Sequence, residues 1–188
     1  MKGYKMNKDV KDILVSEDEL NEIITGLAAE IDRDYADKNL VLVSILKGSV
    51  MFTGALMAKI KTNAEIEFMK VSSYGASTKS AGYISVLLDL KRDDLENLDL
   101  LIIEDIVDSG RTLTLLTRLL KERGARSVKT CTMLDKPSRR EVDFVPDYIG
   151  KEVPDEFVVG FGLDYNEKYR NLPYVGVLKP EVYSTPSV

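Results

Sequence analysis

The sequence contains no histidine, and this absence is the most informative feature of its composition. Without histidine the chain cannot form a Ser-His-Asp triad, a Cys-His pair or a zinc site with histidine ligands. Acid–base chemistry would have to depend on carboxylates, lysines or tyrosines. The single cysteine, Cys131, cannot form an internal disulfide, and its apolar neighbours indicate a buried strand position.

Long apolar segments and a basic face are also lacking. Crossing a membrane takes about 20 consecutive apolar residues, and no such run occurs. Residues 1–15 are charged and lack the apolar centre of a signal peptide. The net charge is -5, with charges of both signs spread along the chain. These features predict a soluble cytoplasmic protein that binds neither nucleic acid nor a membrane.

The length and the hydrophobic pattern predict one α/β domain. The chain has 188 residues, of which 44% are hydrophobic, enough for a single core. A capping box at Ser16 and Glu19 predicts the start of a helix. Further helices are expected at 50–60 and 111–123, strands at 40–46, 66–72, 83–88, 98–103, 128–134, 157–160 and 174–178, and a loop at 73–82. The uninterrupted apolar strands favour a mainly parallel sheet, which binds ligands at the carboxyl ends of its strands.

Acidic and small polar residues follow the predicted strand at 98–103. Glu104 and Asp105 are adjacent, so on an extended chain their side chains diverge and suit two tasks, gripping sugar hydroxyls and holding a hydrated cation. Residues 108–112 form the turn into a helix, where unpaired amides and hydroxyls can surround a phosphate. No Walker P-loop or dinucleotide fingerprint occurs. From spacing alone, a capped helix without a ligand is an equal alternative.

The complete segment resembles the phosphoribosyl pyrophosphate (PRPP) signature of the phosphoribosyltransferase family. The resemblance rests on a hydrophobic strand, Glu104-Asp105, two aliphatic residues, Asp108-Ser109-Gly110-Arg111-Thr112 and a helix. Residues 45–49 and 72–75 are similar to the family's pyrophosphate loop and flexible lid loop. Residues 135–137 and 157–170 resemble the base-recognition part of the members that act on hypoxanthine and guanine. Together the matching segments extend over about 16–178.

The resemblance implies a fold and a reaction. The fold is the type I phosphoribosyltransferase fold, a single domain over 1–188 with a core at about 38–135. A small hood for base recognition would comprise the N-terminal segment and about 136–188. The reaction transfers the 5-phosphoribosyl group from PRPP to hypoxanthine or guanine, giving IMP or GMP and pyrophosphate, with Mg²⁺ as cofactor. A homo-oligomer, either a dimer or a tetramer, is also implied.

The resemblance also implies a role for each matching residue. Glu104 and Asp105 would hold the ribose hydroxyls and magnesium, and Asp164 would complete a second magnesium site. Asp108 would exchange a proton with the imidazole-ring nitrogen of the purine. The 5′-phosphate would be bound by Asp108, Ser109, Gly110, Arg111 and Thr112, the pyrophosphate by Lys47, Gly48 and Arg170, and the purine by Lys136, Phe157, Val158 and Asp164. Ser73 and Tyr74 would belong to the lid, and the Leu46–Lys47 peptide bond is expected to be cis.

Several alternatives stay open at this stage. Taken singly, Lys136 suits a solvated turn, Phe157 a core aromatic and Arg170 a surface ion pair. Because all three occur in the order found in the family, their joint presence favours a substrate-binding site. A regulator that only senses PRPP, or transfer to xanthine or a pyrimidine, would use the same donor site. Ser49 and Arg111 stand where some relatives carry glycine and lysine, but neither change removes a proposed chemical group. The preference between hypoxanthine and guanine is not predicted.

Overall fold

The computed structural model of the chain describes residues 6–73 and 84–184. Its strands are β1 (Val10–Val15), β2 (Leu40–Ile45), β3 (Ala64–Ser73), β4 (Ile84–Leu88), β5 (Asp99–Val107), β6 (Ser127–Asp135), β7 (Tyr148–Glu152), β8 (Val158–Val159) and β9 (Val175–Leu178). Its α-helices are α1 (Glu17–Asp34), α2 (Val50–Met57), α3 (Arg111–Glu122) and α4 (Pro180–Tyr183), and short 3-10 turns lie at Leu95–Asn97 and Pro137–Arg139.

A six-stranded sheet forms the centre of the fold, in the order β4-β3-β2-β5-β6-β7. All neighbouring pairs are parallel except β3 and β4, which are antiparallel. β2 is buried along its whole length because both of its faces are covered. The predicted mainly parallel α/β sheet is therefore confirmed, and the carboxyl ends of β2, β5 and β6 meet at one edge.

Helices cover both faces of this sheet, and successive side chains of each strand point to opposite faces. Leu42 and Leu101 point towards α1 and α2, whereas Val41 and Leu100 point towards α3. The predicted start of α1 is confirmed, since the Ser16 Oγ accepts a hydrogen bond of 3.2 Å from the Glu19 N–H. Cys131 is fully buried within β6, as predicted.

A separate antiparallel sheet, in the order β1-β9-β8, joins the first strand of the chain to its last two and forms the hood. Its own small core contains Val10, Val159, Tyr174 and Leu178, with α4 packed beside it. In the described part of the chain, no helix is both long and apolar enough to cross a membrane.

Some element boundaries differ from the sequence predictions. β5 does not end at residue 103: its pairing with β6 continues to the Val107–Asp135 pair, so Glu104 and Asp105 lie inside the strand instead of following it. β1 and β7 were missed because both carry several charged residues and contribute only part of their length to a core. Most of the predicted loop at 73–82, and Tyr83, lie outside the described residues.

Candidate functional site

The candidate site lies where β2, β5 and β6 end. β5 carries Glu104 and Asp105, and the loop after it carries Asp108. Lys136 directly follows β6, and its backbone N–H donates to the Val107 carbonyl at 2.9 Å. Residues that are about 30 positions apart in the sequence are thus neighbours because parallel strands bring their carboxyl ends to one edge.

The two acidic residues of β5 form a largely buried pair, and in the described part of the chain neither makes an ion pair with a basic side chain. Burial raises the pKa of Glu104 well above its ordinary value, and the neighbouring Asp105 adds to this effect. Burial also raises the pKa of Asp105 to about 6, although the hydrogen bond from the Ile106 N–H (2.8 Å) and the charge of Arg170 oppose the increase. The Glu104 Oε2 is buried, and none of the residues in 6–73 or 84–184 forms a hydrogen bond with it. Such a pair fits a divalent cation, because Mg²⁺ prefers carboxylate oxygens.

The loop after β2 reaches this acidic pair. The Leu46–Lys47 peptide bond is cis, as predicted. The next residue, Gly48, lies against the Asp105 carboxylate so closely that a Cβ built on Gly48 would be 1.6 Å from the Asp105 Oδ2. Only glycine leaves room for this approach. The predicted pyrophosphate loop and the predicted metal carboxylate are therefore in direct contact.

A third segment, 160–170, closes the site around Gly48. The Arg170 Nη1 donates to the Gly162 carbonyl at 2.7 Å, and its Nη2 lies 2.8 Å from the Asp164 Oδ1. A Cβ at Gly162 would be 2.0 Å from the Gly48 carbonyl oxygen, so the two loops touch. Lys47 pairs with the exposed Glu167 at 2.9 Å. Arg170 is therefore held beside the pyrophosphate loop by a network and is not an isolated surface ion pair.

The turn between β5 and α3 has the geometry of an anion site. Gly110 has a φ of +79°, a conformation that favours glycine, and α3 begins at the next residue. The Ser109 Oγ accepts a hydrogen bond of 3.3 Å from the Arg111 N–H, and Thr112 lies in the first turn. The Arg111 guanidinium pairs with Glu141 at 2.6 Å. Amides at the start of a helix, together with its dipole, favour a bound phosphate here.

Next to this turn lies a cavity of about 460 Å³, large enough for a purine base. Its walls consist of Ile106, Asp108, Lys136, Arg139, Asp155, Glu156, Phe157, Val158, Leu163, Asp164 and Tyr183. Five of these residues were predicted from the sequence. A larger cavity of about 730 Å³ lies at the opposite end of β2 and contains none of the predicted site residues. We assign function to the smaller cavity because Asp108 of the anion turn and Lys136 both line it, and because its wall residue Ile106 directly follows the acidic pair in β5.

Lys136 and Phe157 occupy the positions that a base-binding role requires. Lys136 is only 6% exposed, its Nζ donates to the Glu156 carbonyl at 2.9 Å, and it lies 3.7 Å from the Asp108 Oδ1. Phe157 is 38% exposed and offers a ring at the cavity wall. The alternatives of a solvated turn lysine and a buried core aromatic are therefore both wrong. Val158 is buried in β8 and also lines the cavity.

Sequence reasoning missed six residues of the cavity wall, Ile106, Arg139, Asp155, Glu156, Leu163 and Tyr183, and also Arg140 beside the anion turn. Ile106 lines the cavity, and its place between the two acidic motifs was a usable signal. Tyr183 stacks on Phe157 with ring centroids 4.9 Å apart, but nothing in the sequence links these distant residues. Arg140 contacts the anion turn, where its guanidinium donates to the Asp108 carbonyl, and a residue so far along the chain gives no local signal of this contact. Of the predicted lid residues, Ser73 is the last residue of β3 and Tyr74 lies outside the described residues.

Comparison with known proteins agrees with this geometry. The phosphoribosyl transferase domain family matches residues 14–166. The chain therefore belongs to the phosphoribosyltransferase family. It is 52% identical to a hypoxanthine-guanine phosphoribosyltransferase of Staphylococcus epidermidis over 95% of this chain and 99% of that protein.

Solved structures extend the similarity to the whole fold. A crystal structure of a Staphylococcus aureus hypoxanthine phosphoribosyltransferase matches with a TM-score of 0.91 and 49% identity, covering 96% of this chain and 100% of that one. A variant of the Trypanosoma cruzi hypoxanthine phosphoribosyltransferase, solved as a ternary complex with substrates, matches with a TM-score of 0.88 and 38% identity. It covers 94% of this chain and 100% of that chain. The predicted fold and family are thus confirmed.

The contact between Gly48 and Asp105 generates a first prediction. Gly48→Ala places a methyl group within 1.6 Å of the Asp105 Oδ2, so the carboxylate and the loop must separate. We expect kcat to fall by roughly 100-fold, because displacing a catalytic group by about 1 Å has an effect of this size. Steady-state kinetics with hypoxanthine measure it.

Gly26→Ala is the matched control for this substitution. Gly26 is exposed in the middle of α1, and a Cβ there meets nothing within 4 Å. We expect unchanged kcat and a free energy of unfolding higher by about 0.5–1 kcal/mol, because alanine favours a helix. Near-normal kcat in Gly48→Ala would show that the contact has no catalytic importance.

The buried acidic pair generates a prediction on stability and pH. The folded-state pKa of Asp105 is raised to about 6, from an ordinary value of 3.8. Its contribution to stability is therefore full below about pH 4 and is lost as the pH rises through 6. Asp105→Asn removes the buried charge, and its side-chain oxygen can still accept from the Ile106 N–H. The variant should be more stable than the parent at pH 7.5, by up to about 3 kcal/mol, and the gain should vanish near pH 4.

Urea denaturation of both proteins in EDTA, at pH values from 4 to 7.5, measures this difference. Turnover of Asp105→Asn should be lost although the protein is more stable, since the cation ligand is gone. A variant that is equally stable or less stable than the parent across this whole range contradicts the account of a buried, uncompensated acidic pair.

Proposed function

We propose that this chain transfers the 5-phosphoribosyl group of PRPP to hypoxanthine or guanine, producing IMP or GMP and releasing pyrophosphate in purine salvage. The observation that supports this most directly is the junction of the Gly48 loop with Asp105, beside a cavity that holds the buried Lys136. The activity was predicted from the sequence, and the full-length relatives confirm it.

The acidic pair of β5 would bind the ribose hydroxyls and a cation. Family members generally use Mg²⁺ with PRPP, and Glu104 and Asp105 fit that ion because they are largely buried and, among the described residues, form no ion pair with a basic side chain. Bound Mg²⁺ would neutralise charge on the departing pyrophosphate. Within the described residues, no group of three or more acidic or other ligand side chains could hold a metal. Substrate oxygens would therefore complete the coordination, as is common for Mg²⁺. Asp164 would serve a second ion.

The two ends of PRPP would lie on different loops. Residues 108–112 would bind the 5′-phosphate through backbone amides and the hydroxyls of Ser109 and Thr112, at the start of α3. Gly48 and the side chains of Lys47 and Arg170 would bind the pyrophosphate on the other side of Asp105. Arg170 suits this role because its planar guanidinium can bind two oxygens and is already oriented by Asp164.

Asp108 would carry the proton transfer. Its carboxylate faces the cavity, 3.7 Å from the Lys136 Nζ. As the bond from the sugar anomeric carbon to the purine nitrogen forms and the bond to pyrophosphate breaks, the purine loses a proton from its imidazole ring, and the Asp108 carboxylate would accept it. A carboxylate can do this in a chain that has no histidine.

Base selection would depend on a buried donor. The Lys136 Nζ would donate to the 6-oxo group of the purine, while Phe157 stacks on the ring and the Val158 backbone contacts the far edge. Adenine presents an amino group at the 6-position, so the ammonium group would face another donor in a buried place. Such a mismatch strongly disfavours the wrong base.

The remaining sequence predictions form part of the same proposal. The chain would be one domain with a core at about 38–135 and a hood from the N-terminal segment and about 136–188. Ser73 and Tyr74 would contribute to a lid that excludes water. The cytoplasmic location expected from the sequence also remains a proposal.

A turnover panel tests this function. The protein is incubated with magnesium, PRPP and each of hypoxanthine, guanine, xanthine, adenine and uracil, and nucleotide formation is followed by absorbance. We expect hypoxanthine and guanine to be good acceptors and adenine to react on the order of 10⁴-fold more slowly, because the Lys136 donor would be unpaired. Uracil as the best acceptor would overturn the roles of Lys136 and Phe157.

Asp108→Asn tests the proposed proton acceptor and is assayed alongside this panel. It keeps the size of the side chain and its place at the cavity but cannot accept a proton. We expect kcat to fall by at least about 100-fold, with substrate binding nearly unchanged. Near-normal kcat would remove Asp108 from the mechanism, and a salt-sensitive shift of an oligonucleotide without any turnover would instead favour a regulator.

We further propose that the chain forms a homo-oligomer through exposed apolar side chains of β3 and of the start of α2, on one face of the large sheet. Ile66 and Phe68 of β3 are each 36% exposed and lie opposite Leu42 and Ser44 of β2, on the face covered by α2. The exposed residues Val50 and Met51, in the first turn of α2, lie on this same face. Adjacent exposed apolar side chains of this kind mark protein contacts.

Phe68→Glu should convert the oligomer to smaller species in analytical ultracentrifugation, because it places a charge in the apolar contact. Val145→Glu is the matched control, since Val145 is 74% exposed and lies on a loop outside this face. A parent protein that sediments as a monomer contradicts the proposal, as does equal dissociation of both variants.

A further inference from the structure

The anion turn between β5 and α3 is fastened to the segment 136–141, which we call the strap. Two of the links use the strap's backbone: the Lys136 N–H donates to the Val107 carbonyl at 2.9 Å, and the Glu141 N–H donates to the Ser109 carbonyl at 3.0 Å. The middle link comes from a side chain. The Arg140 Nη1 donates to the Asp108 carbonyl at 2.5 Å and lies 3.4 Å from the Val107 carbonyl.

These three links fix the direction of the turn's amides. In a trans peptide the C=O and the following N–H point in opposite directions, and the cis bond of the described residues is the one at Leu46–Lys47. Because the carbonyls of Val107, Asp108 and Ser109 face the strap, the following three N–H groups point away from it. Those N–H groups are the donors that would surround a phosphate.

The Arg140 side chain is itself held in one orientation. Its Nη2 pairs with the Asp135 Oδ1, and the two side chains are only 14% and 9% exposed. Asp135 is the last residue of β6 and is fixed by its pairing with Val107. The Arg140 stem also packs on Gly110, where a Cβ would lie 3.0 Å from the Arg140 Cδ. The planar guanidinium offers two terminal nitrogens at a fixed spacing, one to the Asp135 carboxylate and one to the Asp108 carbonyl, a geometry that the single nitrogen of a lysine does not reproduce.

We infer that Arg140, oriented by Asp135, is a positioning residue for the 5′-phosphate-binding amides and for Asp108. The inference rests on the proposed function, because it takes the turn at 108–112 to be the phosphate site. Arg140 faces the carbonyl side of the turn, so it acts on the phosphate through the backbone. No individual role was predicted for either residue: Asp135 was included only in the segment 135–137 that resembles the base-recognition part, and an arginine after a strand has no distinctive pattern.

The competing explanation is that the Arg140–Asp135 pair only stabilises the fold. A structural role would lower stability and the active fraction, but it would weaken all ligands alike. A positioning role predicts different effects on two kinds of ligand. The affinity for ligands that carry the 5′-phosphate falls. The affinity for pyrophosphate does not, because pyrophosphate would bind at Gly48 and Arg170, on the other side of Asp105.

The test uses Arg140→Lys in the full chain, with ribose 5-phosphate and magnesium pyrophosphate as separate probes in calorimetry. We expect the dissociation constant for ribose 5-phosphate to rise by about 10-fold or more, a typical effect of losing a hydrogen bond to a charged group. The dissociation constant for pyrophosphate should change less than about twofold, and the KM for PRPP should rise with the ribose 5-phosphate constant.

Two further variants keep the test decisive if Arg140→Lys folds poorly. Asp135→Asn removes the carboxylate charge that orients Arg140 and should produce the same difference between the two probes. Arg126→Lys is the matched control, because Arg126 pairs with the buried Asp99 at the opposite end of β5. It should destabilise the protein without changing either dissociation constant.

Two outcomes would overturn the inference, and they differ from each other. In the first, the Arg140 and Asp135 variants bind both probes equally more weakly, or bind both as tightly as the parent protein does. The pair is then purely structural, and the proposed function is unaffected. Failure of the parent protein to bind ribose 5-phosphate while it still binds pyrophosphate removes the phosphate assignment itself, and the inference falls with it.

Discussion

The contact of the Asp105 carboxylate with the Cα of Gly48 is the constraint on which the rest of the site depends. It joins the end of β2 to the end of β5, and Gly162 presses on the same glycine from the hood side. A side chain at position 48 would separate the acidic pair from the pyrophosphate loop. The three loops can therefore act on one substrate only because a backbone without a Cβ lets them meet.

The acidic pair illustrates how function opposes stability in this fold. Glu104 and Asp105 are buried where an apolar strand would be expected, and burial raises the pKa of both. A cation and the substrate hydroxyls would satisfy them, so binding would relieve an unfavourable arrangement that the folded protein maintains. The anion turn is likewise arranged for a ligand: its carbonyls accept hydrogen bonds from the strap, and its amides point to the opposite side, where the ligand would bind.

Much of the fold was predictable because local patterns decide it. The apolar run of β2 and the capping box at Ser16 each have one dominant local explanation, and the structure agrees with both. The full length of β5 was not predictable, since acidic residues normally end a buried strand and here they continue it. Site residues were predictable where they fall in contiguous motifs. Tyr183 and Arg140 were not, because their roles arise from contacts across the fold that leave no spacing in the sequence.

The central claim is that β5 holds its substrate through a cation bound between buried carboxylates. Isothermal calorimetry of PRPP binding, with magnesium and then with EDTA, tests it most directly. The account predicts saturable binding of PRPP with one site per chain when magnesium is present, and at least about a 100-fold weaker interaction in EDTA. Equally tight binding in EDTA, or no binding in either condition, would contradict it.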